Sequence, residues 1–225
     1  YDYCLTLAEL FHDRFIISFS KFCKDNKALS RIEPPAYPML LNLFNDFNTP
    51  DIPSAQALSK SGKFANDSNF AIEINTWTIN KIASSASHLF GKSKTICEAH
   101  ISSNQDYNSL KLSQDLAFIS GANQFIFDIT TKDISRHSHM KNLNERNVRL
   151  CALFQNSRHQ ARIAILLSLN DLWRDCGLSR QQLAGYNWYL LPLWQVLDNI
   201  GYAADYINES HIQAADYNDG RLHIG

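Results

Sequence analysis

Two short apolar segments end in carboxylates, with one helix's length of chain between them. The first is Ser93-Lys94-Thr95-Ile96-Cys97-Glu98-Ala99-His100 and the second is Gln124-Phe125-Ile126-Phe127-Asp128-Ile129-Thr130. The amphipathic stretch from Leu110 to Gly121 has the length of a crossover helix, so the three together read as a βαβ unit. In a (β/α) barrel, catalytic groups stand at the carboxyl ends of strands, which would aim Glu98 and Asp128 into one mouth. Two acids in one pocket are the equipment of glycosidic bond cleavage. The structural alternative is that both acids cap turns or pair with nearby Lys or Arg.

The elements that would position these acids follow from periodicity. Leu7, Phe11, Phe15, Phe19, Phe22 and Cys23 recur at three- and four-residue steps, which places an apolar stripe on a helix from about Leu5 to Lys24. Residues 30–69 carry Pro34-Pro35, Pro38, Pro50 and Pro53 and read as a long irregular connection with one short helix or strand. A helix pattern from Phe70 to Leu89 has Ile72, Ile79, Ile82, Ala83, Ala86 and Leu89 as core positions, and Gly91 stops it. The segment Thr131 to Asn147, with His137 and His139, reads as a polar mouth loop.

Beyond Arg149, the run Arg162-Ile163-Ala164-Ile165-Leu166-Leu167-Ser168 reads as a parallel strand buried on both faces. A polar loop from Asn170 to Gly185 precedes a helix from Tyr186 to Ile200. Tyr202 to Ile207 forms another strand, and Asn218-Asp219-Gly220 signals a turn before a last partial strand. The expected fold is α/β. Residues 1–150 form part of a TIM-like (β/α)8 barrel, and residues 151–225 begin a flavodoxin-like three-layer α/β domain. The chain opens inside a helix pattern and stops at the start of a strand, so it looks cut at both ends, as a mature chain or a fragment would. A half barrel leaves open sheet edges, which the remaining strands or a partner would cover.

Composition narrows the function classes. The chain has 225 residues, 45% hydrophobic and 12% aromatic, enough for a well-filled core. A net charge of −1 lacks the basic stripe of a nucleic-acid surface. No apolar run nears the roughly 20 residues of a membrane span, and no signal peptide is visible. Cys4, Cys23, Cys97, Cys151 and Cys176 are odd in number without a C-x-x-C pair; they read as buried small hydrophobes rather than a disulfide framework or zinc knuckle. Asn66-Asp67-Ser68 and Asn208-Glu209-Ser210 match the glycosylation acceptor pattern.

Several of these stretches, taken in order, resemble glycoside hydrolase family 106, the α-L-rhamnosidases. They are Tyr1-Asp2-Tyr3 with its helix, Asp51-Ile52-Pro53, Ile82 to Gly91, Cys97-Glu98-Ala99, and Leu110 to Gly121 followed by Ala122 to Phe127. Gly201-Tyr202 and Asp205-Tyr206-Ile207-Asn208 resemble the domain that follows the barrel. The resemblance implies hydrolysis of terminal α-L-rhamnosides by inversion, a carbohydrate substrate, calcium near the sugar, and a periplasmic or secreted location. It makes Glu98 the base or nucleophile-side carboxylate. Asp128, which stands where relatives tend to have a histidine, is the second catalytic candidate by its strand-end place, and Asp51, Trp77 and His100 are the substrate-binding candidates. Where relatives read D-I-P-E-x-E, this chain has Asp51-Ile52-Pro53-Ser54-Ala55-Gln56, so the expected acid is missing. Asp51, Asp128 and Glu73 are the substitutes the sequence offers. Two other readings follow: a carbohydrate-binding homologue with impaired catalysis, or a segment of a larger glycosidase without activity of its own.

The remaining candidates have structural alternatives. His137-Ser138-His139 has the alternation of a metal pair on a strand, or of solvated loop histidines. Trp77 is a candidate sugar platform, and Trp188 and Trp194 read as core. His88 reads as a helix-packing or capping residue, and Lys92, Lys94 and Lys111 as solvated rim charges.

Overall fold

A computed structural model of the chain describes residues 1–33, 43–57, 70–101, 106–129, 140–174 and 193–224. Four parallel strands form the larger sheet: β1 (Arg31–Ile32), β2 (Ile52–Ala57), β3 (Ile96–Ile101) and β4 (Gln124–Ile129), in the spatial order β1-β2-β3-β4. A second sheet pairs β5 (Ile163–Leu166) with β6 (Ala204–Ile207), also in parallel. The fold is therefore mixed α/β built on parallel sheet. Last comes an antiparallel hairpin of β7 (Asp216–Asn218) and β8 (Arg221–His223). Its turn residues Asp219 and Gly220 both have positive φ, 51° and 72°, as a tight two-residue hairpin requires.

Helix α4 (Phe70–Leu89) is the hub. Its Ile79, Ile82, Ala83 and Ala86 share one core with Phe44, Phe47 and Ala55 beside the larger sheet, and with Ile165, Leu167, Trp194, Ala204 and Tyr206 around the smaller one. These α4 positions follow the three-and-four spacing read from sequence. Gly91, at φ +63°, ends the helix as expected: the Lys92 amide donates to the Ser87 carbonyl and the Gly91 amide to that of His88. The other face of α4 is built of small polar residues that let neighbours approach closely. Ser84 Oγ donates to the Ser120 carbonyl (2.7 Å) and Asn80 Nδ2 to Ser120 Oγ (2.9 Å), joining α4 to the end of α5 (Tyr107–Ile119).

Four local expectations change. The first helix runs as α1 (Asp2–Phe11), a π turn (His12–Ile16) and α2 (Ile17–Asp25). It buries Cys4, Ala8, Ile16 and Cys23, while Phe15 and Phe22 are 51% and 64% exposed and the phenylalanines stack along the outside. Cys4 and Cys23 would stand about 100° apart on a regular helix; a π turn absorbs one extra residue, which is that rotation, and keeps both inward. Phe15, Phe19 and Phe22 of the apolar stripe are thus on the solvent side, Leu7 and Phe11 are half-buried, and Cys23 is buried.

The proline-rich stretch holds β1, α3 (Leu43–Asn48) and β2. Pro53 lies in β2 before its pairing with β3 begins at Ser54, an edge-like setting that tolerates proline. Residues 140–147, expected as loop, open helix α6 (Met140–Gln155), whose inner positions Leu143 and Asn147 are one turn apart in an otherwise polar sequence. Finally, β5 is half-buried: Ile165 is covered and Leu166 is exposed, because this two-stranded sheet is packed on one face by α4.

The remaining described helices are α7 (Leu169–Arg174) within the expected polar loop, α8 over residues 193–199, and α9 (Glu209–Gln213). Trp173 of α7 is buried against Cys4 and Ala8, and Trp194 of α8 is core as expected. Asn208 is the buried cap of α9, its side chain accepting from the His211 amide, so the second glycosylation triplet has no exposed acceptor. Cys4 is disulfide-bonded, against the reading of the cysteines as buried small hydrophobes, while Cys23, Cys97 and Cys151 form no disulfide. Among the described residues no helix is long and apolar enough to cross a membrane.

Candidate active site: a carboxyl pair on the parallel sheet

Strand alternation sorts the side chains of β3. Cys97 packs with Ala117 and Ala122 on the α5 side, which leaves Glu98 on the opposite face. Register then places neighbours around it. β1 sets Arg31 opposite Ile52, so Arg31, Glu33 and Ser54 fall on the same face as Glu98. Arg31 joins the three strands: its Nη1 donates to Ser54 Oγ at 3.3 Å and to Glu98 Oε2 at 3.1 Å, and its Nη2 to the same Oε2 at 3.1 Å. Both guanidinium bonds fall on one oxygen, leaving Glu98 Oε1 outside the clamp.

Glu33 completes the group. Burial pushes its carboxyl up to about 7, and the negative charge and hydrogen bond of Glu98 push the same way, against the opposing charge of Arg31. Below that pH Glu33 is a protonated acid donating to Glu98, which is ion-paired with Arg31. One protonated and one ion-paired carboxyl in contact are an arrangement that can divide acid and base roles.

Sequence reasoning singles out Glu98 and does not single out Glu33. Arg31 and Glu33 flank one apolar residue at strand spacing, which is a signal, but the following Pro34-Pro35 reads as loop and hides a two-residue strand. The other candidates are spread over the fold. Asp128 is exposed on β4; register sets it opposite His100 on the same sheet face as Glu98, one alternation further along. The carboxyl of Glu33 meets that of Glu98.

Asp51 lies at the amino-terminal end of β2, away from Glu98. Its Oδ2 accepts from the Ser30 amide (2.7 Å) and hydroxyl (2.8 Å), which hold its carboxyl below the usual range. There it lines a lysine-rich groove of about 630 Å³ with Lys21, Lys24 and Lys27. Trp77 and Glu73 lie in α4 and His100 in β3, their side chains outside the described set, as are His137, His139 and Trp188 entirely. Lys111 pairs with Asp115 one turn on, as a surface lysine does. Lys92 departs from the rim reading: its Nζ donates to the carbonyls of Phe47 (2.7 Å) and Asn48 at the end of α3 and of Pro50 beyond it, and burial lowers it to about 8.

A second polar group lies where α4 meets β6. Asp205 Oδ1 accepts from Lys81 Nζ (2.9 Å) and Ser85 Oγ (2.9 Å), and His88 Nδ1 contacts Oδ1 and Oδ2 at 3.0 and 3.1 Å. His159 Nε2 is 3.7 Å from Oδ2, and its ring stacks on His88 with centroids 4.2 Å apart. Burial alone would raise Asp205; the His88 hydrogen bond and the Lys81 charge outweigh it and hold the carboxyl far below its usual range. Among the described residues, His88, His159 and Asp205 are the grouping with metal-ligand spacing. Two imidazole nitrogens do not suit calcium, which takes six to eight oxygens. The calcium implied by the family resemblance thus has no matching donor set among the described residues.

Comparison with protein-family models, with curated proteins and with solved structures finds no match to this chain.

Proposed function

We propose that the chain carries the acid/base pair of a glycoside hydrolase, acting on terminal α-L-rhamnosyl or similar residues. The observation that carries this reading is Glu33, an acid held protonated up to about pH 7 against Glu98. It supplies the proton donor missing at Ser54 and Gln56. In the reaction, Glu98 takes a proton from water as the water oxygen bonds to the anomeric carbon. The glycosidic C–O bond breaks, and Glu33 gives its proton to the leaving oxygen. Inversion needs carboxyl groups roughly 6.5–9.5 Å apart, so the sugar and water must part the Glu33–Glu98 hydrogen bond on entry.

The sequential parallel order β1-β2-β3-β4 supports a partial (β/α)8 barrel, since a barrel adds strands in chain order whereas doubly wound sheets reverse. The outer edges of β1 and β4 are where remaining barrel strands, or a partner, would join. The parallel pair β5–β6 with its helices supports the start of a flavodoxin-like layer.

A second reading, a carbohydrate-binding homologue with impaired catalysis, is favoured by one feature: Arg31 ties up an oxygen of Glu98 beside a serine at the expected acid position. Hydrolysis of a chromogenic α-L-rhamnoside by this chain and by Glu98→Gln separates the two. Turnover that disappears in the variant supports the enzyme. No turnover from folded protein, with a melting temperature raised by rhamnose, supports the binding homologue and overturns the enzyme.

A further inference from the structure

We propose that the pocket bounded by α4, β5 and β6 binds a small organic phosphate, with Arg158 and Arg162 on the phosphate group, independently of the Glu33–Glu98 pair. The pocket has a volume of about 590 Å³. That lies within the roughly 300–1,000 Å³ of small-ligand sites. Both arginines belong to the segment 156–162, which joins α6 to β5. The Arg162 amide donates to the Ala203 carbonyl (3.2 Å), which extends the β5–β6 pairing and fixes that residue beside the pocket.

Charge decides the class of ligand. Besides His88 and His159, the titratable side chains that line the pocket are Lys92, Arg158, Arg162 and Asp205. Asp205 is offset by the Lys81 ammonium behind it, at 2.9 Å. The Lys92 ammonium donates to the carbonyls of Phe47, Asn48 and Pro50, which occupies its three donors. Two exposed guanidinium groups remain, and neither has a carboxylate partner among the described residues. A guanidinium stays charged in proteins and pairs bidentately with phosphate oxygens. A phosphate monoester carries close to two negative charges at pH 7, which matches both arginines; a carboxylate matches one.

The rest of the lining suits an apolar or aromatic body. His88 and His159 stack nearly parallel, with 14° between planes and centroids 4.2 Å apart, so no ion can lie in the plane of both rings. The stacked pair offers an aromatic wall instead. Burial and the charge of Lys81 push His159 down to about 4, so its ring is neutral at neutral pH. Leu89, Ile163 and Leu222 add apolar surface around it.

The test is calorimetric titration of the purified chain, at low salt, with phenyl phosphate, inorganic phosphate and benzoate. The expected result is one phenyl phosphate per chain. It should bind more tightly than inorganic phosphate, which lacks the ring, and than benzoate, which lacks the second charge. Arg158→Gln and Arg162→Gln, checked for folding by circular dichroism, should each weaken phenyl phosphate by about 10-fold or more, the contribution of one charge-assisted bond. Lys21→Gln with Lys24→Gln takes the same charge from the lysine-rich groove and should leave binding unchanged. No saturable binding to the wild-type chain overturns the proposal. So does binding retained when both arginines are replaced, or lost in the lysine variant, which would place the anion in that groove. Benzoate or inorganic phosphate held as tightly as phenyl phosphate overturns the assignment of the ligand.

Discussion

Replacing Glu33 with glutamine should remove a pH dependence of stability that the wild-type chain carries. Glu33 has its carboxyl raised from the ordinary 4.5 to about 7, so between these values the folded state holds a proton the unfolded state has lost. The stabilisation is fully present below about pH 4.5 and is lost as pH rises through about 7. At roughly 1.36 kcal/mol per pH unit, that rise has a ceiling of about 3 kcal/mol, a large part of the roughly 5–15 kcal/mol of a typical domain. The amide introduced by Glu33→Gln keeps a donor toward Glu98 without titrating.

The assay is urea unfolding followed by tryptophan fluorescence, with Trp173 and Trp194 buried as probes, from about pH 4.5 to about pH 8. Asp46, raised by burial to about 6, and His159, lowered to about 4, titrate in both proteins and cancel in the difference. Wild-type stability minus that of Glu33→Gln should fall across this range by up to about 3 kcal/mol. Parallel curves would refute the buried, protonated Glu33, as would a difference that grows with pH.

Further outcomes follow from the same geometry. Glu98→Gln should lower the Glu33 titration but leave it above 4.5, because burial is its leading cause, whereas Arg31→Met should raise it; carboxyl carbon NMR reads both, and shifts of the same sign would contradict the arrangement. Gly121→Ala should destabilise by about 2–4 kcal/mol, since φ is +96° and a Cβ would stand 2.5 Å from Ser84 Cβ, while Gly91→Ala, with open space around it, should lose only about 1 kcal/mol in the same unfolding assay. Reducing the disulfide of Cys4 should cost about 2–5 kcal/mol and lower the melting temperature, and an unchanged melt would show that bond to be absent.

What the sequence discloses depends on how local the signal is. The boundaries of α4, the α5 crossover and strands β3 and β4 rest on periodicity and on glycine stops at Gly91 and Gly121, which neighbours in the chain decide. The buried face of the first helix is not legible, because a π turn changes phase without any residue that announces it. The polar opening of α6 is helical because tertiary contacts at Leu143 and Asn147 override a weak pattern. Glu98 is legible as an acid on an apolar strand, though it stands third of the six residues of β3 rather than at the strand's end. Glu33 is not, since a two-residue strand before Pro-Pro has no pattern and its chemistry comes from contact with Glu98, far along the chain. Likewise His88 and Asp205 are 117 residues apart in sequence and meet only through the packing of α4 on β6.

The most direct test of Glu33 as general acid compares two rhamnosides that differ only in leaving group. An alkyl leaving group needs a proton and an activated dinitrophenyl group does not. Glu33→Gln should lower the rate on the alkyl glycoside by about two to four orders of magnitude and leave the dinitrophenyl glycoside nearly unaffected. Equal losses on both substrates, or no loss on either, would contradict the assignment of Glu33 as the acid.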